Sequence, residues 1–387
     1  MSFQLTNEQF MIQTMVRDFA REVLLPTAME RDRTKEFPGE NLKKMGELGL
    51  MGMMVPLEYD GAGADTVSYV LALQGVAYAC ASTAVVMSVH NSIVCETINR
   101  FGTDEQKQTY LKPLAAGKVI GAFAMTEPHA GSDPVNQSTS AVRDGAHYII
   151  NGTKRFITSG ENAGLTIMTA KTDKTKRHKG ISAFIVRKGT QGFLVGKTEK
   201  KMGLCASDTT DLVFDNCRIP VENLLGQEGD GFEIAMTALD GGRIGIAAQS
   251  LGVAQAALDA AVSYAKEREQ FGQPISKFQG LRWMLADMAT EIEAARQLTL
   301  SAASMKDRGE KYTRQASMAK LFASEVVNRV TAKALQIHGG YGYTKEYPVE
   351  RFYRDARVFT IYEGTSEIQR VVIANHLLGD RYVGTLR

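Results

Sequence analysis

"RIGIAAQSLGVAQAALDAAVSYAKER", residues 243–268, is the stretch whose pattern decides the fold of the C-terminal part of this 387-residue chain. Its apolar residues, among them Ile244, Leu251 and Leu258, recur at steps of three, four and seven, which is the spacing of one face of an α-helix. Many other positions hold alanine or glycine, and small residues allow helices to approach closely. We therefore predict a four-helix bundle over residues 229–387.

The region before the bundle, residues 119–228, has a different pattern of residue types. It consists of short runs rich in β-branched and aromatic residues, separated by glycine and asparagine, as in "HYIINGTKRFITS" at 147–159. Asn151-Gly152 inside that run predicts a tight hairpin turn, because a type I′ turn needs positive φ at both central residues. The spacing of the runs predicts a mostly antiparallel β domain.

The first region, residues 1–118, returns to helical spacing. Thr6 and Gln9 are spaced to cap the first helix, and Pro26 is predicted to end it. The chain is therefore predicted to have an α+β fold: a helical N-terminal domain (1–118), a middle antiparallel β domain (119–228) and a C-terminal four-helix bundle (229–387).

Composition limits the classes of partner. The chain is 44% hydrophobic and 23% charged with a formal net charge of +2, so it lacks the basic surplus that favours nucleic acid or anionic membranes. Its four cysteines form no CxxC pair and have no histidine at zinc spacing, which favours reduced thiols and no metal site. No segment reaches the roughly 18 apolar residues of a membrane span. We expect a soluble cytoplasmic protein, with a mature mitochondrial matrix protein as the alternative.

Several enzyme classes are not supported by the motifs. A nicotinamide enzyme shows G-x-G-x-x-G between a strand and a helix, and the glycine-rich stretches at 61–65 and 226–231 have neither that spacing nor that context. The sequence also contains no P-loop, no HExxH and no GxSxG. Hydrolase and kinase functions are therefore not favoured.

One carboxylate stands out in "FTIYEGTSEIQR", residues 359–370. Glu363 follows an apolar pair and precedes a small polar run. Ser366 and Gln369 have the spacing of a capping box, so a helix is predicted to begin at Thr365 or Ser366. Glu363 either complements the positive end of that helix or takes part in chemistry, and the local sequence leaves both open.

Six stretches carry a signal beyond local structure: "FAMTEPHAGSD" (123–133), "FIT" (156–158), "LDGGRIGIAAQSLG" (239–252), "REQFGQPISKFQ" (268–279), "QIHGGYGY" (336–343) and "RDARVFTIYEGTSEIQR" (354–370). Together they resemble the acyl-CoA dehydrogenases, most closely the short-chain or butyryl-CoA type. The resemblance runs from about residue 3 to 380 and implies the same three-domain fold, FAD as cofactor, an acyl-CoA substrate, electron-transferring flavoprotein as electron acceptor, and a homotetramer built on the bundles.

The resemblance also implies contacts to FAD. Met125 and Thr126 would lie near the flavin ring, Thr158 would donate a hydrogen bond toward its N5, and contacts from the bundle would reach the FAD of a neighbouring subunit. The implied set is Phe123, Met125, Thr126, Ser132, Phe156, Ile157, Thr158, Arg268, Phe271, Gln279, Gln336, Gly339, Gly340, Thr365, Ser366 and Glu367.

Glu363 matches the family's catalytic base, which removes the α proton of a saturated thioester while FAD accepts the β hydride. Some relatives carry the base on the helix that begins "LDxxR"; this chain has Gly242 there, so no second carboxylate competes. The positions implied to bind substrate are Ser132, Asp240, Arg243, Tyr362 and Gly364.

Three functions stay open on the sequence. The first is dehydrogenation of a short-chain or compact acyl-CoA. The second is the same reaction on a cyclic, branched or aryl-substituted acyl-CoA, since His90, Asn91 and Glu96 lie in a segment expected to help line the acyl end. The third is a non-catalytic flavin- or CoA-binding scaffold.

Overall fold

The computed structural model describes residues 4–379; residues 1–3 and 380–387, at the outer ends of the predicted first and third domains, lie outside the described part. The helices are α1 Asn7–Phe19, α2 Leu25–Thr34, α3 Gly39–Glu47, α4 Thr66–Ala79, α5 Ala81–Ser88, α6 Glu96–Phe101, α7 Asp104–Gln106, α8 Lys112–Ala115, α9 Gly231–Glu267, α10 Gln279–Asp307, α11 Thr313–His338, α12 Val349–Ala356 and α13 Ser366–Leu378. The strands are β1 Gly121–Ala124, β2 Ser140–Asp144, β3 His147–Thr158, β4 Leu165–Lys171, β5 Ile181–Arg187, β6 Phe193–Thr198, β7 Thr209–Pro220, β8 Leu224–Leu225, β9 Glu269–Gln270 and β10 Gln273–Pro274.

The first helix begins as predicted. Thr6 Oγ1 accepts from the Gln9 N–H and Gln9 Oε1 accepts from the Thr6 N–H, which completes a capping box. The prediction that Pro26 ends this helix is wrong. A π-helical turn, Ala20–Leu24, carries the chain directly into α2, and Pro26 occupies the first turn of that helix.

The N-terminal and C-terminal helices share one hydrophobic core. Nearly every residue of α4 is buried, because α4 packs against α1 on one side and against α9 and α10 on others. The approach of α4 and α9 is close: a Cβ on Gly252 would overlap the Gln74 carbonyl oxygen. The small residues predicted to permit close helix packing therefore do so here.

The β domain is one mixed sheet. Its strands follow the order β6-β7-β3-β2-β4-β5-β8, and β1 pairs with β4. Most pairs are antiparallel as predicted, but β1 and β2 both run parallel to β4. Strand β4 is buried on both faces: Leu165 and Ile167 join the helical core, whereas Met168 and Ala170 join a second core on the other face.

The predicted hairpin turn at Asn151-Gly152 is wrong. Strand β3 continues through that pair, and Gly152 takes φ 150° at a bulge in the pairing with β7. The hairpin instead joins β2 to β3 through Gly145-Ala146, where Gly145 has φ 59°. A glycine of positive φ at the first central position suits a type II′ turn, which meets the same twist requirement.

Helices α9, α10 and α11 pack against one another, and α13 packs on α11 as the fourth helix of the C-terminal domain. This arrangement places the start of α13 beside the middle of α11. Among residues 4–379, none of the helices combines the length and the apolar character that crossing a membrane requires.

Candidate active site

Glu363 lies in a left-handed turn. The turn that comprises residues 361–365, called the Glu363 turn below, has φ 52° at Glu363 and φ 89° at Gly364. Thr365 caps α13 by accepting from the Ile368 N–H at 3.3 Å, so the helix begins at Ser366. The expected capping box of Ser366 with Gln369 does not form. Gln369 instead donates to the carbonyl oxygens of Glu363 and Gly364, at 3.3 and 3.0 Å.

The Glu363 carboxylate is buried and unpaired. Both of its oxygens are shielded from solvent and neither has a hydrogen-bond partner among the described residues, although the residue as a whole is partly exposed. Burial raises the pKa of Glu363 to about 7, against the opposing charges of Lys320 and Arg243. A carboxylate that only complemented the start of α13 would bond its free N–H groups. The geometry therefore favours the chemical interpretation over the capping one.

Helix α9 leaves room for this carboxylate. A Cβ on Gly242 would overlap Glu363 Oε2 and would lie 3.0 Å from the Ile93 side chain. The glycine that replaces a second carboxylate in this chain therefore also makes the space that Glu363 occupies. Tyr362, the preceding residue, is held by a 2.7 Å hydrogen bond from its hydroxyl to Gln249 Oε1 on α9.

A lysine that the sequence reading overlooked lies behind the turn. Lys320, on α11, is fully buried and donates from Nζ to the Gly364 carbonyl oxygen at 2.7 Å. Burial lowers the pKa of Lys320 to about 8, against the charge of Glu363. A sequence signal was present, because Lys320 falls on the apolar stripe of α11 with Ala316 and Ala323.

Asp240 and Arg243, three positions apart on α9, form an ion pair. Burial raises the pKa of Asp240, and the Thr313 hydroxyl at the start of α11 donates to Asp240 Oδ2 at 2.5 Å. Asp240 lies at the wall of a cavity of about 730 Å³. The cavity is lined by Glu96, Arg100, Thr237, Asp240, Lys306, Gly309, Glu310, Lys311, Tyr312, Thr313, Arg314, Gln315 and His376.

At the edge of the sheet, the segments 125–126 and 155–158 meet. Lys154 Nζ bonds the Met125 carbonyl oxygen at 3.1 Å, and the Arg155 N–H bonds the Thr126 carbonyl oxygen at 2.8 Å. Lys154 also pairs with Glu127 at 2.8 Å, and both side chains are completely buried. This buried pair, like Lys320, was overlooked in the sequence, although Lys154 falls on the same alternating face of β3 as the buried Tyr148 and Ile150.

The same edge presents an exposed aromatic ring and an unpaired hydroxyl. Phe156 has φ 59° and is 57% exposed, and Ser159 has φ 61° with a buried Oγ that lacks a partner in residues 4–379. Between them, Ile157 points into the β core, so its backbone alone faces outward, and Thr158 is half-buried. Bulges and left-handed residues of this kind concentrate beside binding sites.

The remaining expected FAD contacts form a second group. Arg268, whose guanidinium lies over the Tyr341 ring, lines a cavity of about 540 Å³ together with Gly339 and Gly340. A Cβ on either glycine would meet nothing within 4 Å, so the backbone there is open to a ligand. Other expected contacts are exposed around the molecule: Ser132, Phe271, Gln279, Gln336 and Glu367.

These features fit a long cofactor with a flat ring at one end and a diphosphate in the middle. The ring end suits Phe156 and the unpaired Ser159 hydroxyl, and the open glycines beside Arg268 suit an anionic group. The lining of the 540 Å³ cavity comes entirely from the C-terminal domain, with no residue of the β domain. The two groups of residues are therefore separate features of the single chain.

The polar residues of segment 85–97 have other roles. His90 accepts from the Gly121 N–H and donates from Nε2 to the Leu114 carbonyl oxygen, and burial lowers its pKa to about 4. Asn91 bonds three backbone groups, including the Met53 N–H at 2.9 Å. His90 ties the helices to the start of the sheet, and Asn91 ties them to segment 50–53, whereas Glu96 lines the 730 Å³ cavity.

Comparison with known proteins gives consistent matches along the chain. Models of the N-terminal, middle and C-terminal domains of acyl-CoA dehydrogenase match residues 6–118, 122–217 and 229–378. A short-chain specific acyl-CoA dehydrogenase of Clostridium acetobutylicum is 53% identical, over 97% of this chain and 100% of the relative. An acryloyl-CoA reductase (NADH) of Anaerotignum propionicum is 50% identical, over 98% and 96%.

Solved structures give the same result. Butyryl-CoA dehydrogenase from Megasphaera elsdenii superimposes with a TM-score of 0.96 at 46% identity, covering 98% of this chain and 100% of the other. A chain from a study of the electron transferring flavoprotein of Acidaminococcus fermentans and flavin-based electron bifurcation superimposes with a TM-score of 0.97 at 51% identity, over 98% and 100%.

Proposed function

This chain belongs to the acyl-CoA dehydrogenase family of FAD-dependent oxidoreductases, and from that premise we propose that it converts a short-chain or compact acyl-CoA to the enoyl-CoA with Glu363 as the base. The observation that carries the proposal is the state of the Glu363 carboxylate. Its two oxygens are shielded from solvent and accept no hydrogen bond from any described residue. Burial penalises the charged form of such a group, so it is ready to take a proton.

The α proton of a thioester is weakly acidic, so its removal needs a base of suitable strength and a donor for the developing enolate oxygen. A pKa of about 7 gives Glu363 an affinity for a proton that suits a base at neutral pH. The Glu363 N–H donates to no other residue within 4–379, which leaves it available as one such donor. We assign both roles to Glu363.

FAD, when bound, supplies the acceptor for the β hydride. We propose that the ring is held by Phe123, Met125, Thr126 and the 156–158 segment, and that Ser132 and the turn at 365–367 hold the diphosphate side. The second group, around Arg268 and Gly339, is proposed to serve the FAD of a neighbouring subunit. The exposure of Phe271 (93%) and of Trp283 (62%) near this group supports a homotetramer in which these rings are covered.

The proposed route for CoA is the 730 Å³ cavity beside Asp240 and Arg243. Four cationic and three acidic side chains line it, and Lys306 is paired with Glu96 at 2.6 Å, which leaves three cations for the phosphates of CoA; Arg243 acts on Glu363. Ser132, Tyr362 and Gly364 complete the proposed substrate contacts. The cationic residues are Arg100, Lys306, Lys311 and Arg314.

The relatives support a short acyl group. Two of the similar proteins named above are described as short-chain specific or as butyryl-CoA enzymes. Electron-transferring flavoprotein is the proposed acceptor, on the likeness to the chain studied with that protein of Acidaminococcus. A cytoplasmic location is proposed on the bacterial relatives. A reductase at 50% identity makes the reverse direction the second candidate function.

The test is anaerobic loss of flavin absorbance on mixing with butyryl-, isobutyryl-, glutaryl-, cyclohexanecarboxyl- and phenylpropionyl-CoA. We expect butyryl-CoA to reduce the flavin fastest, and Glu363→Gln to keep FAD yet slow reduction by about 10³-fold or more, the scale of general-base catalysis. Glu325→Gln, at a partly exposed carboxylate of α11 that pairs with Arg370 of α13, is the control.

Reduction of the Glu363→Gln flavin at the wild-type rate would disprove the assigned base. A purified wild-type protein without flavin would instead favour the non-catalytic scaffold. Fastest reduction by a ring-bearing or branched thioester would replace the short-chain assignment with the alternative substrate class.

A further inference from the structure

Lys320 occupies a position that helix packing alone does not explain. It lies on the inward stripe of α11 among Ala316, Ala319, Ala323 and Val327, all of which are buried. An ammonium in such a stripe has an energetic cost, and an apolar residue would pack there without it. The described contacts of Nζ contain one hydrogen bond, to the Gly364 carbonyl oxygen at 2.7 Å. The lysine therefore serves the Glu363 turn rather than its own helix.

The turn needs such support. Glu363 is a non-glycine residue with φ 52°, a conformation that L residues adopt only when their surroundings impose it. Lys320 and Gln369 converge on the Gly364 carbonyl oxygen from two different helices, and Gln369 also reaches the Glu363 carbonyl oxygen. The two carbonyls point toward α11 and α13, and this fixes the direction of the Glu363 side chain and N–H.

The charges around the Glu363 carboxylate are unequal. Arg243, on α9, is paired with Asp240, so much of its charge is already compensated. Tyr69, on α4, and Tyr362 face the site as neutral phenols whose pKa is raised by burial. Lys320 has no carboxylate within ion-pair distance in residues 4–379. Glu367 and Glu325 act on it only from a distance, so its charge falls mainly on Glu363.

We propose that Lys320 is a positioning residue for the base: its ammonium holds the Gly364 carbonyl, and thereby the left-handed turn, while its charge favours the ionised form of the Glu363 carboxylate. The proposal deepens the assignment of Glu363 as base and rests on it. It separates two effects of one side chain, a hydrogen bond that sets geometry and a charge that sets the pH at which the base is active.

The experiment measures the rate of flavin reduction by butyryl-CoA between pH 5.5 and 9, in FAD-loaded protein. Lys320→Met removes the bond and the charge, Lys320→Gln keeps a donor without the charge, and Lys320→Arg keeps both. Loss of the charge should raise the pKa of Glu363. The acidic limb of the profile of reduction rate against pH should therefore move upward by about one pH unit in the Met and Gln variants. The plateau rate should fall roughly tenfold in the Met variant and much less in the Gln variant.

The Arg variant should have the acidic limb of its pH–rate profile at the wild-type position, and its plateau rate should approach that of the wild type. Lys333→Met, on the same helix but partly exposed and paired with Asp287 and Glu291, should change neither. A purely structural role of Lys320 would lower the plateau and leave the limb in place, and that result would overturn the proposal. An unchanged Met variant would overturn it too.

If Lys320→Met does not fold, the Gln and Arg variants test the proposal. The acidic limb of the pH–rate profile should move in the Gln variant and stay in place in the Arg variant. Glu363→Gln is measured alongside. Wild-type reduction by Glu363→Gln would overturn the base itself, whereas an inactive Glu363→Gln with unshifted Lys320 variants would overturn this inference alone.

Discussion

Two glutamates of this molecule are buried beside a buried lysine, with opposite results. Glu127 accepts from Lys154 Nζ, the Ser138 N–H and hydroxyl, and the Thr139 N–H, at 2.6 to 3.0 Å. Burial alone would raise the pKa of Glu127, but the charge of Lys154 and these hydrogen bonds lower it to about 2. Glu363 has no such bonds, and burial raises its pKa to about 7.

The difference teaches that a cation in direct contact, together with several hydrogen bonds, decides whether a buried carboxylate is structural or reactive. The lysines themselves respond alike, since burial lowers the pKa of both Lys154 and Lys320 to about 8. Lys154 donates directly to the Glu127 carboxylate, as well as to Met125 and Gln137, whereas Lys320 donates to the neighbouring backbone. The first glutamate is thereby held ionised, and the second is left free to accept a proton.

The largest expected effect is at the Lys154–Glu127 pair, whose side chains bond each other directly. Lys154→Met leaves Glu127 buried without its cation and releases the Met125 carbonyl oxygen. Removal of one partner of a buried ion pair costs about 3–5 kcal/mol of unfolding free energy. We expect a loss of that size in denaturant unfolding, with reduced FAD content because segment 125–126 is released. Lys176→Met, at the exposed pair with Asp173, should cost much less, because solvent screens that pair. Equal losses in the two variants would contradict the contrast.

A second test uses the sign of each pKa shift. The folded pKa of Glu363 is about 7, against an ordinary value of 4.5, so the folded state binds the proton more tightly and stability falls as pH rises from 4.5 through 7. Glu363→Gln escapes this loss and should be more stable than the wild type by about 3 kcal/mol at pH 8.5, with the two converging below pH 5. Thermal unfolding at saturating FAD measures it.

Glu127→Gln is the matched opposite. Because the pKa of Glu127 is depressed, its contribution is present above pH 4.5 and is lost only as pH falls toward 2. This variant should therefore be less stable than the wild type throughout pH 5 to 8.5. Stabilisation by both substitutions, or by neither, would show that the two carboxylates do not differ as described.

The third test fills the space around the unpaired carboxylate. Gly242→Ala puts a methyl group against Glu363 Oε2 and the Ile93 side chain, so the carboxylate must move. A displacement of about 1 Å typically costs about 10²-fold in rate, and flavin reduction by butyryl-CoA should slow by that factor while FAD content stays normal. Gly39→Ala, on α3, where a Cβ makes only ordinary contact, is the control. An unchanged Gly242→Ala rate would show that the base needs no such room.

Local patterns were sufficient for much of the architecture. The helical period runs through most of the 37 residues of α9, and both partners of the first capping box lie within four residues of chain. The turn at Asn151-Gly152 was mispredicted because the same pair suits a hairpin or a bulge. The choice depends on pairing with β7, whose residues lie some sixty positions further along the chain.

The candidate site also has one part that the local sequence predicts and another part that only the folded chain shows. The motif around Glu363 is contiguous and therefore visible in the sequence, together with Asp240 and Arg243 on one helical turn. The position of Lys320 on the apolar stripe of α11 is visible in the sequence, but its acceptor, the Gly364 carbonyl oxygen, is 44 residues away and follows only from the fold. The free state of the carboxylate also follows only from the packed structure, because no local pattern records which donors a side chain lacks.

The shared core of the two helical domains sets the order of events on the ribosome. Helix α4 is buried against α9 and α10, which are translated only after the entire β domain has emerged. A nascent chain that ends before residue 231 can pack α1 against this apolar helix but leaves exposed the faces that α9 and α10 cover later. Biogenesis of this protein depends on keeping that helix from aggregating until the last third of the chain is made.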